Sequence, residues 1–233
     1  MPDLELLNSK QKEAVEATEG PVLVIAGAGA GKTKVITERI KYLIEKGAAP
    51  ESILAVTFTN KAAGEMKNRV ARAGPFIGTF HALGLLIIRE NLKKMDIGKN
   101  FSILDEDDAL KLIKECIVES KIDPKQFDPS RIRNNIARLK NQMMMADEFV
   151  EENVFEKILG KVWRLYEEKT IAQNLLDFDD LLLKPVLLFK KDAEALKKYQ
   201  ERWRYIHIDE YQDTNDVQYI LSKLLAASHK NIL

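Results

Sequence analysis

Two periodicities alternate along the chain. Short unbroken aliphatic runs have the length of a strand, and longer stretches repeat an apolar residue every third or fourth position. Residues 22–25, Val-Leu-Val-Ile behind Gly20-Pro21, predict a strand buried on both faces, because no polar residue interrupts them. Further strands are predicted over 53–57, 76–79 and 205–208. The helical pattern fills the gaps. It covers 8–18 behind Asn8, about 32–45, 60–71 behind Thr59, and 80 to about 95.

From about 105 to 174 the strand pattern disappears. Asp105 opens a helix carrying Ala109, Leu112, Ile113, Cys116 and Ile117, and Asp128-Pro129 open another carrying Ile132, Ile136, Leu139 and Met143. A longer one carries Val154, Phe155, Ile158, Val162, Leu165 and Tyr166. A helix from 177, with an acidic first turn that suits its dipole, and one near 193–202 then lead back to a strand. The predicted fold class is α/β: a parallel sheet flanked by helices, built from 1–104 and 175–233, with 105–174 inserted as an all-α subdomain.

Composition narrows the partners. Of the 233 residues, 36 are Lys or Arg and 36 are Asp or Glu, so the overall basic charge of many nucleic-acid binders is missing and such binding needs a local patch. The single cysteine, Cys116, excludes an internal disulfide and a multi-cysteine metal site, which fits a reducing compartment. Without a basic-then-apolar leader or a run of membrane length, the expectation is a cytoplasmic protein, monomeric and without a membrane partner.

The chemistry starts behind the first predicted strand, where Ala26-Gly27-Ala28-Gly29-Ala30-Gly31-Lys32-Thr33 matches a phosphate-loop pattern with Ala26 in place of its first glycine. Glycines there let backbone N–H groups converge on a polyphosphate, and the following helix aims its positive end at the same anion. Lys32 would reach the β and γ phosphates of ATP, and the Thr33 hydroxyl would ligate Mg²⁺. A predicted strand ending in Asp209-Glu210 adds a second site: Asp209 would hold Mg²⁺, and Glu210 would act as general base on the attacking water. Gln11 fits two jobs, closing a capping box with Asn8 or pairing with an adenine edge. Thr57, Phe58, Thr59 and Asn60, with Phe80 and His81, fall at the carboxyl ends of strands, where an open parallel sheet binds ligands. On the 129–143 helix, Arg131 and Arg138 form one row and Arg133 and Lys140 another; they suit either cations flanking a core face or a nucleic-acid contact.

The order of these motifs resembles the N-terminal half of the UvrD, Rep and PcrA group of superfamily 1 DNA helicases. Leu7-Asn8-Ser9-Lys10-Gln11 is similar to the Q motif, 26–33 to motif I, Thr57-Phe58-Thr59-Asn60 onward to motif Ia, Gly78-Thr79-Phe80-His81 to motif Ib, and 208–215 to motif II. Leu176-Asp177-Phe178-Asp179-Asp180 resembles the family's return from its inserted domain. The resemblance implies that Gln11 reads adenine and that the nucleotide site also takes in Lys34 and Gln212, the latter coupling nucleotide state to DNA. It implies a 3′-to-5′ motor in which Thr57, Phe58, Asn60 and His81 line a single-stranded DNA track, and Arg131 and Arg138 lie near a duplex junction. Lys34 stands where many relatives carry Arg, and Ala30 where Ser or Thr is common. Residues 231–233 only begin an apolar strand, ahead of the family's motif III, second RecA-like domain and arginine fingers. The expectation for this chain alone is therefore weak binding of Mg·ATP and single-stranded DNA, slow hydrolysis and no unwinding. A nucleotide-gated DNA-binding module and a helicase-nuclease subunit are the alternatives.

Overall fold

The computed structural model describes every residue except Met1, Ala28, Arg72, Pro124 and Lys125. The described chain divides into two compact units. One comprises Met1–Leu83, Phe189–Thr214 and Tyr219–Leu233, the other Gly84–Leu188 with Asn215–Gln218. No helix among the described residues is long and apolar enough to cross a membrane.

In chain order the elements are α1 (Ser9–Glu16), α2 (Lys32–Glu45), β1 (Ile53–Thr57), α3 (Asn60–Val70), β2 (Phe76–Thr79), α4 (Phe80–Glu90), β3 (Ser102–Ile103), α5 (Glu106–Glu119), α6 (Pro129–Asn141), α7 (Val154–Ala172), β4 (Leu175–Leu176), α8 (Phe178–Lys191), α9 (Ala193–Arg202), β5 (Tyr205–Ile208) and α10 (Asp216–Ala226). Local capping explains many of the starts. Asn8, Thr59, Asp105, Asp128, Asn153 and Asp192 each accept a hydrogen bond from an N–H of the helix they precede. Such caps contribute about 0.5–2 kcal/mol each.

The first unit is built on a parallel sheet of order β2-β1-β5, with Thr57 opposite Thr79 and Val56 opposite Ile208. Ile53 and Ala55 of β1 and Ile77 of β2 pack with Ile36, Ile40 and Leu43 of α2 and Met66 and Val70 of α3. The sheet differs from expectation at residues 22–25, which form no strand; Leu23 is 72% and Ile25 89% exposed. A strand is buried on both faces only when neighbours and covering layers exist on both. Here the adjoining segment contributes one backbone bond, from Val22 N–H to the Ile232 carbonyl at 2.8 Å.

The second unit has two cores. Leu112, Ile113, Cys116, Ile132, Ile136, Val162, Trp163 and Tyr166 knit α5, α6 and α7 together, and Ile88, Leu176 and Leu181 join α4 to α8. The second unit thus combines the helices of the 105–174 segment with the adjoining parts of α4 and α8 and with Asn215–Gln218. Pro185 lies inside α8 and has no N–H for the carbonyl of Leu181, four residues earlier. At that carbonyl α4 carries Gly84, and a Cβ on Gly84 would collide with the Leu181 oxygen. Gly84→Ala is expected to lower stability by about 1–3 kcal/mol, read as a lower urea midpoint. An unchanged midpoint would mean that the two helices are free to separate.

A buried ion cluster crosses the same unit. Lys140, 2% exposed, reaches Asp177 Oδ2 at 2.8 Å, Glu167 Oε1 at 2.8 Å and Asp180 Oδ1 at 3.1 Å. The Tyr166 hydroxyl donates to Asp177 Oδ2 at 3.2 Å. Burial works against the Lys140 charge, but the three carboxylates outweigh it and hold the ammonium well above its ordinary range. Burial also works against Asp177, yet Lys140 keeps it below the usual carboxylate value. Asp180 is pushed up to about 6, by burial and then by the Asp177 charge.

Candidate nucleotide site

The turn before α2 has the backbone that its glycines allow. Gly29 and Gly31 take φ of +75° and +84°, a region L side chains avoid. A Cβ on Gly27 or Gly29 would meet nothing within 4 Å, so the inside of the turn is open. Gly31 precedes α2 and supplies no side-chain cap, so no side chain there competes for the N–H groups of the first turn. Ala28, predicted to face the same phosphates, lies outside the described residues. Ala26 and Ala30 turn carbonyls toward side chains: Lys32 Nζ is 3.5 Å from the Ala26 oxygen, and Gln11 Nε2 donates to the Ala30 oxygen at 2.9 Å.

The end of β5 meets this turn. Asp209 N–H bonds the Val56 carbonyl at 2.9 Å, which fixes the residue against β1. Its Oδ2 accepts from Thr33 Oγ1 at 3.1 Å, across 176 positions of sequence. Lys32 Nζ lies 3.4 Å from Glu210 Oε2. Glu210 takes φ of +52°, which costs a non-glycine residue about 1–2 kcal/mol and turns its chain away from the strand direction. The Gln212 amide donates to Glu210 Oε2 at 2.7 Å; that bond, with the Lys32 charge, holds Glu210 below its ordinary value. Burial pushes Asp209 up, and the Thr33 hydroxyl draws it back.

Lys32, Asp209, Glu210 and Gln212 line a cleft of about 630 Å³ whose other walls are mostly apolar, from residues 21–26, Val35, Ile36, Ile208, Ile232 and Leu233; Thr33 is not part of its lining. The size suits a nucleotide. Among the described residues Lys32 is the one basic side chain in the lining. The donor set also suits Mg²⁺, which takes one or two protein oxygens and fills its octahedron with phosphate and water oxygens. Thr33 and Asp209 supply two oxygens in contact.

Gln11 does more than either sequence reading. The capping box with Asn8 is formed in both directions, and the other end of the amide reaches the glycine-rich turn. Periodicity carries no signal for that second bond, because Ala30 offers only a backbone carbonyl. Lys34 Nζ reaches back to the Leu6 carbonyl at 2.9 Å.

The carboxyl ends of β1 and β2 lie side by side, which brings Thr57, Phe58, Asn60 and His81 into one region of the first unit. Asn60 is exposed and Phe58 half-buried, edge-on to Phe80 with ring centroids 6.0 Å apart. Thr57, by contrast, is 2% exposed, so its side chain is closed to a surface ligand. His81 is half-buried, and burial lowers its pKa, which favours the neutral ring. On α6, Arg131 is exposed and lies over the Phe155 ring at 4.5 Å, and Arg138 is exposed beside Gln142 and Asn135. Arg133 pairs with Glu106 at 3.1 Å. Lys140 leaves the basic row altogether, since its ammonium is consumed by the buried cluster.

A family model described as the UvrD/REP helicase N-terminal domain matches residues 7–233. The ATP-dependent DNA helicase PcrA of Bacillus subtilis (strain 168) is 46% identical over 235 residues, covering 97% of this chain and 32% of that protein. Its namesake from Staphylococcus aureus (strain Mu50) is 41% identical over 238 residues, 98% of this chain and 33% of the relative. The chain thus spans about a third of the length of the curated relatives it matches.

Proposed function

Because this chain belongs to the UvrD/REP helicase N-terminal domain family, we propose that it is the ATP-binding part of an ATP-dependent DNA helicase motor that tracks 3′-to-5′ on single-stranded DNA. The relatives at 41–46% identity are named ATP-dependent DNA helicases, and the 3′-to-5′ direction follows the family resemblance. The observation that carries the reading is the meeting of Thr33 and Asp209 at 3.1 Å, with Lys32 and Glu210 paired beside them.

In this reading Lys32 exchanges Glu210 for the phosphates. The released Glu210 carboxylate, kept ionised by Gln212, accepts a proton from the attacking water. Thr33 and Asp209 would hold Mg²⁺, which would supply neutralisation of charge on the phosphoryl oxygens. The turn's N–H groups bind the phosphates. Single-stranded DNA passes the β1 and β2 ends, where Phe58 stacks on a base and Asn60 and His81 bond its backbone or edges. Arg131 and Arg138 serve the duplex junction from the inserted helical subdomain, residues 105–174.

Hydrolysis by the chain alone is slow. An arginine at the transferring phosphoryl is worth about 10³–10⁵ in comparable systems, and among the described residues of the cleft lining Lys32 is the one basic side chain. The test is binding of a fluorescent ATP analogue together with steady-state ATP hydrolysis, with and without single-stranded DNA, for this chain and for Glu210→Gln. Analogue binding with turnover near background, unchanged by DNA, is the expected result. Failure to bind the analogue would overturn the assignment of the site; DNA-stimulated turnover lost in Glu210→Gln would overturn the slow hydrolysis.

A further inference from the structure

We propose that Gln11 is a positioning residue of the phosphate loop: its side-chain amide pins the Ala30 carbonyl and so sets the direction of the loop's N–H groups before any base is present. The inference rests on reading the 26–33 turn as a triphosphate site.

Both ends of the Gln11 amide are engaged. Oε1 accepts from Asn8 N–H at 3.0 Å, inside the α1 cap, and Nε2 donates to Ala30 O at 2.9 Å, 19 positions along the chain. α1 is therefore a fixed post from which the amide reaches the loop. A planar trans peptide points its C=O and N–H to opposite sides. With Ala30 C=O held toward Gln11, Gly31 N–H must point away from α1. That bond opposes rotation of the peptide between Ala30 and Gly31, which would turn a carbonyl oxygen toward the polyphosphate and repel it. The loop is packed against the amide as well as bonded to it: a Cβ on Gly31 would stand 3.1 Å from Gln11 Nε2. Within the loop, Ala30 N–H bonds the Gly27 carbonyl at 3.2 Å, so Ala30 is held at both of its polar backbone atoms.

This role makes a prediction that base reading does not. It acts on the phosphates, so it must appear with a ligand that has no base. The experiment is a calorimetric titration of the chain with Mg·tripolyphosphate, Mg·ATP and Mg·GTP, for the unsubstituted protein, Gln11→Met and Asn8→Ala. Methionine keeps the length of the side chain and removes the donor. Asn8→Ala removes the Asn8 half of the cap and leaves the Gln11–Ala30 bond intact. Gln11→Met is expected to weaken all three ligands, tripolyphosphate included, by about fivefold, the worth of one hydrogen bond. Asn8→Ala is expected to stay within twofold of the unsubstituted chain, even as α1 becomes less stable.

Unchanged tripolyphosphate binding in Gln11→Met, with only ATP weakened, would overturn the inference in favour of base reading. An equal loss in Asn8→Ala and Gln11→Met would overturn it in favour of helix capping alone. If the unsubstituted chain binds none of the ligands, the proposed function falls and the inference with it. The first two outcomes leave that function standing.

Discussion

Lys32→Ala is expected to weaken binding of a fluorescent ATP analogue by about 100-fold or more. Two effects add. A charge-assisted hydrogen bond to phosphate is worth roughly 1.5–3 kcal/mol, and Lys32 is the one basic group among the described residues of the cleft lining. Its removal also leaves Glu210, 3.4 Å away in the present pair, as an unopposed carboxylate facing a polyanion. The second effect separates electrostatics from loss of shape. Glu210→Gln alone should bind the analogue at least as well as the unsubstituted chain, and Lys32→Ala with Glu210→Gln should recover part of the loss. The ion pair is partly exposed, so little stability is at stake, and the urea midpoint of Lys32→Ala should barely move. Binding within threefold of the unsubstituted chain would show that the glycine-rich turn is not the phosphate site.

The largest effect on stability is expected at Lys140, far in sequence from the nucleotide cleft. Lys140→Met keeps the apolar stem and removes the ammonium, leaving Asp177, Asp180 and Glu167 with no cation between them. Breaking a buried pair in this way costs about 3–5 kcal/mol, because the remaining charges stay desolvated. Arg138→Ala, on the same helix but exposed, should change stability by less than about 0.5 kcal/mol.

The pH dependence has a definite sign. Without Lys140, burial and mutual repulsion raise the folded-state pKa values of these carboxylates above their unfolded values. The folded state then binds more protons than the unfolded one, so stability falls as pH rises through those pKa values. The deficit of Lys140→Met should therefore shrink between pH 7.5 and pH 5, a window that contains the value of about 6 reached by Asp180 even with Lys140 present. A deficit that grows on acidification would mean that the cluster is held by something other than its lysine.

Much of the fold was legible because its signals act over one helical turn or one strand. Asn8, Thr59, Asp105 and Asp128 cap the helices that they predict, and the helix behind the glycine-rich turn runs over Lys32–Glu45 as predicted. The strands at 53–57, 76–79 and 205–208 follow from short aliphatic runs in the same way. The helix expected to reach about residue 95 ends at Glu90, and a 3₁₀ turn over Leu92–Met95 follows it. The identities of Lys32, Thr33, Asp209 and Glu210 as chemical groups were also in the sequence, since a glycine-rich turn and an acidic strand end are local patterns.

What the sequence by itself determined was therefore the inventory of elements, caps and reactive side chains. Only the tertiary structure decided which groups meet. It leaves Leu23 and Ile25 exposed, where the apolar run predicts burial, because a strand's burial depends on neighbours from elsewhere in the chain. Thr57 is closed off and Asn60 exposed, though both end the same stretch. Lys140, which spacing places in a row beside a core face, becomes the centre of a buried cluster through residues 27 to 40 positions away, and Gln11 gains a backbone partner 19 positions on. Side-chain type and spacing report what a residue can bond, but the partner is chosen by the packing of segments remote in sequence, and so is the cost of leaving it unbonded.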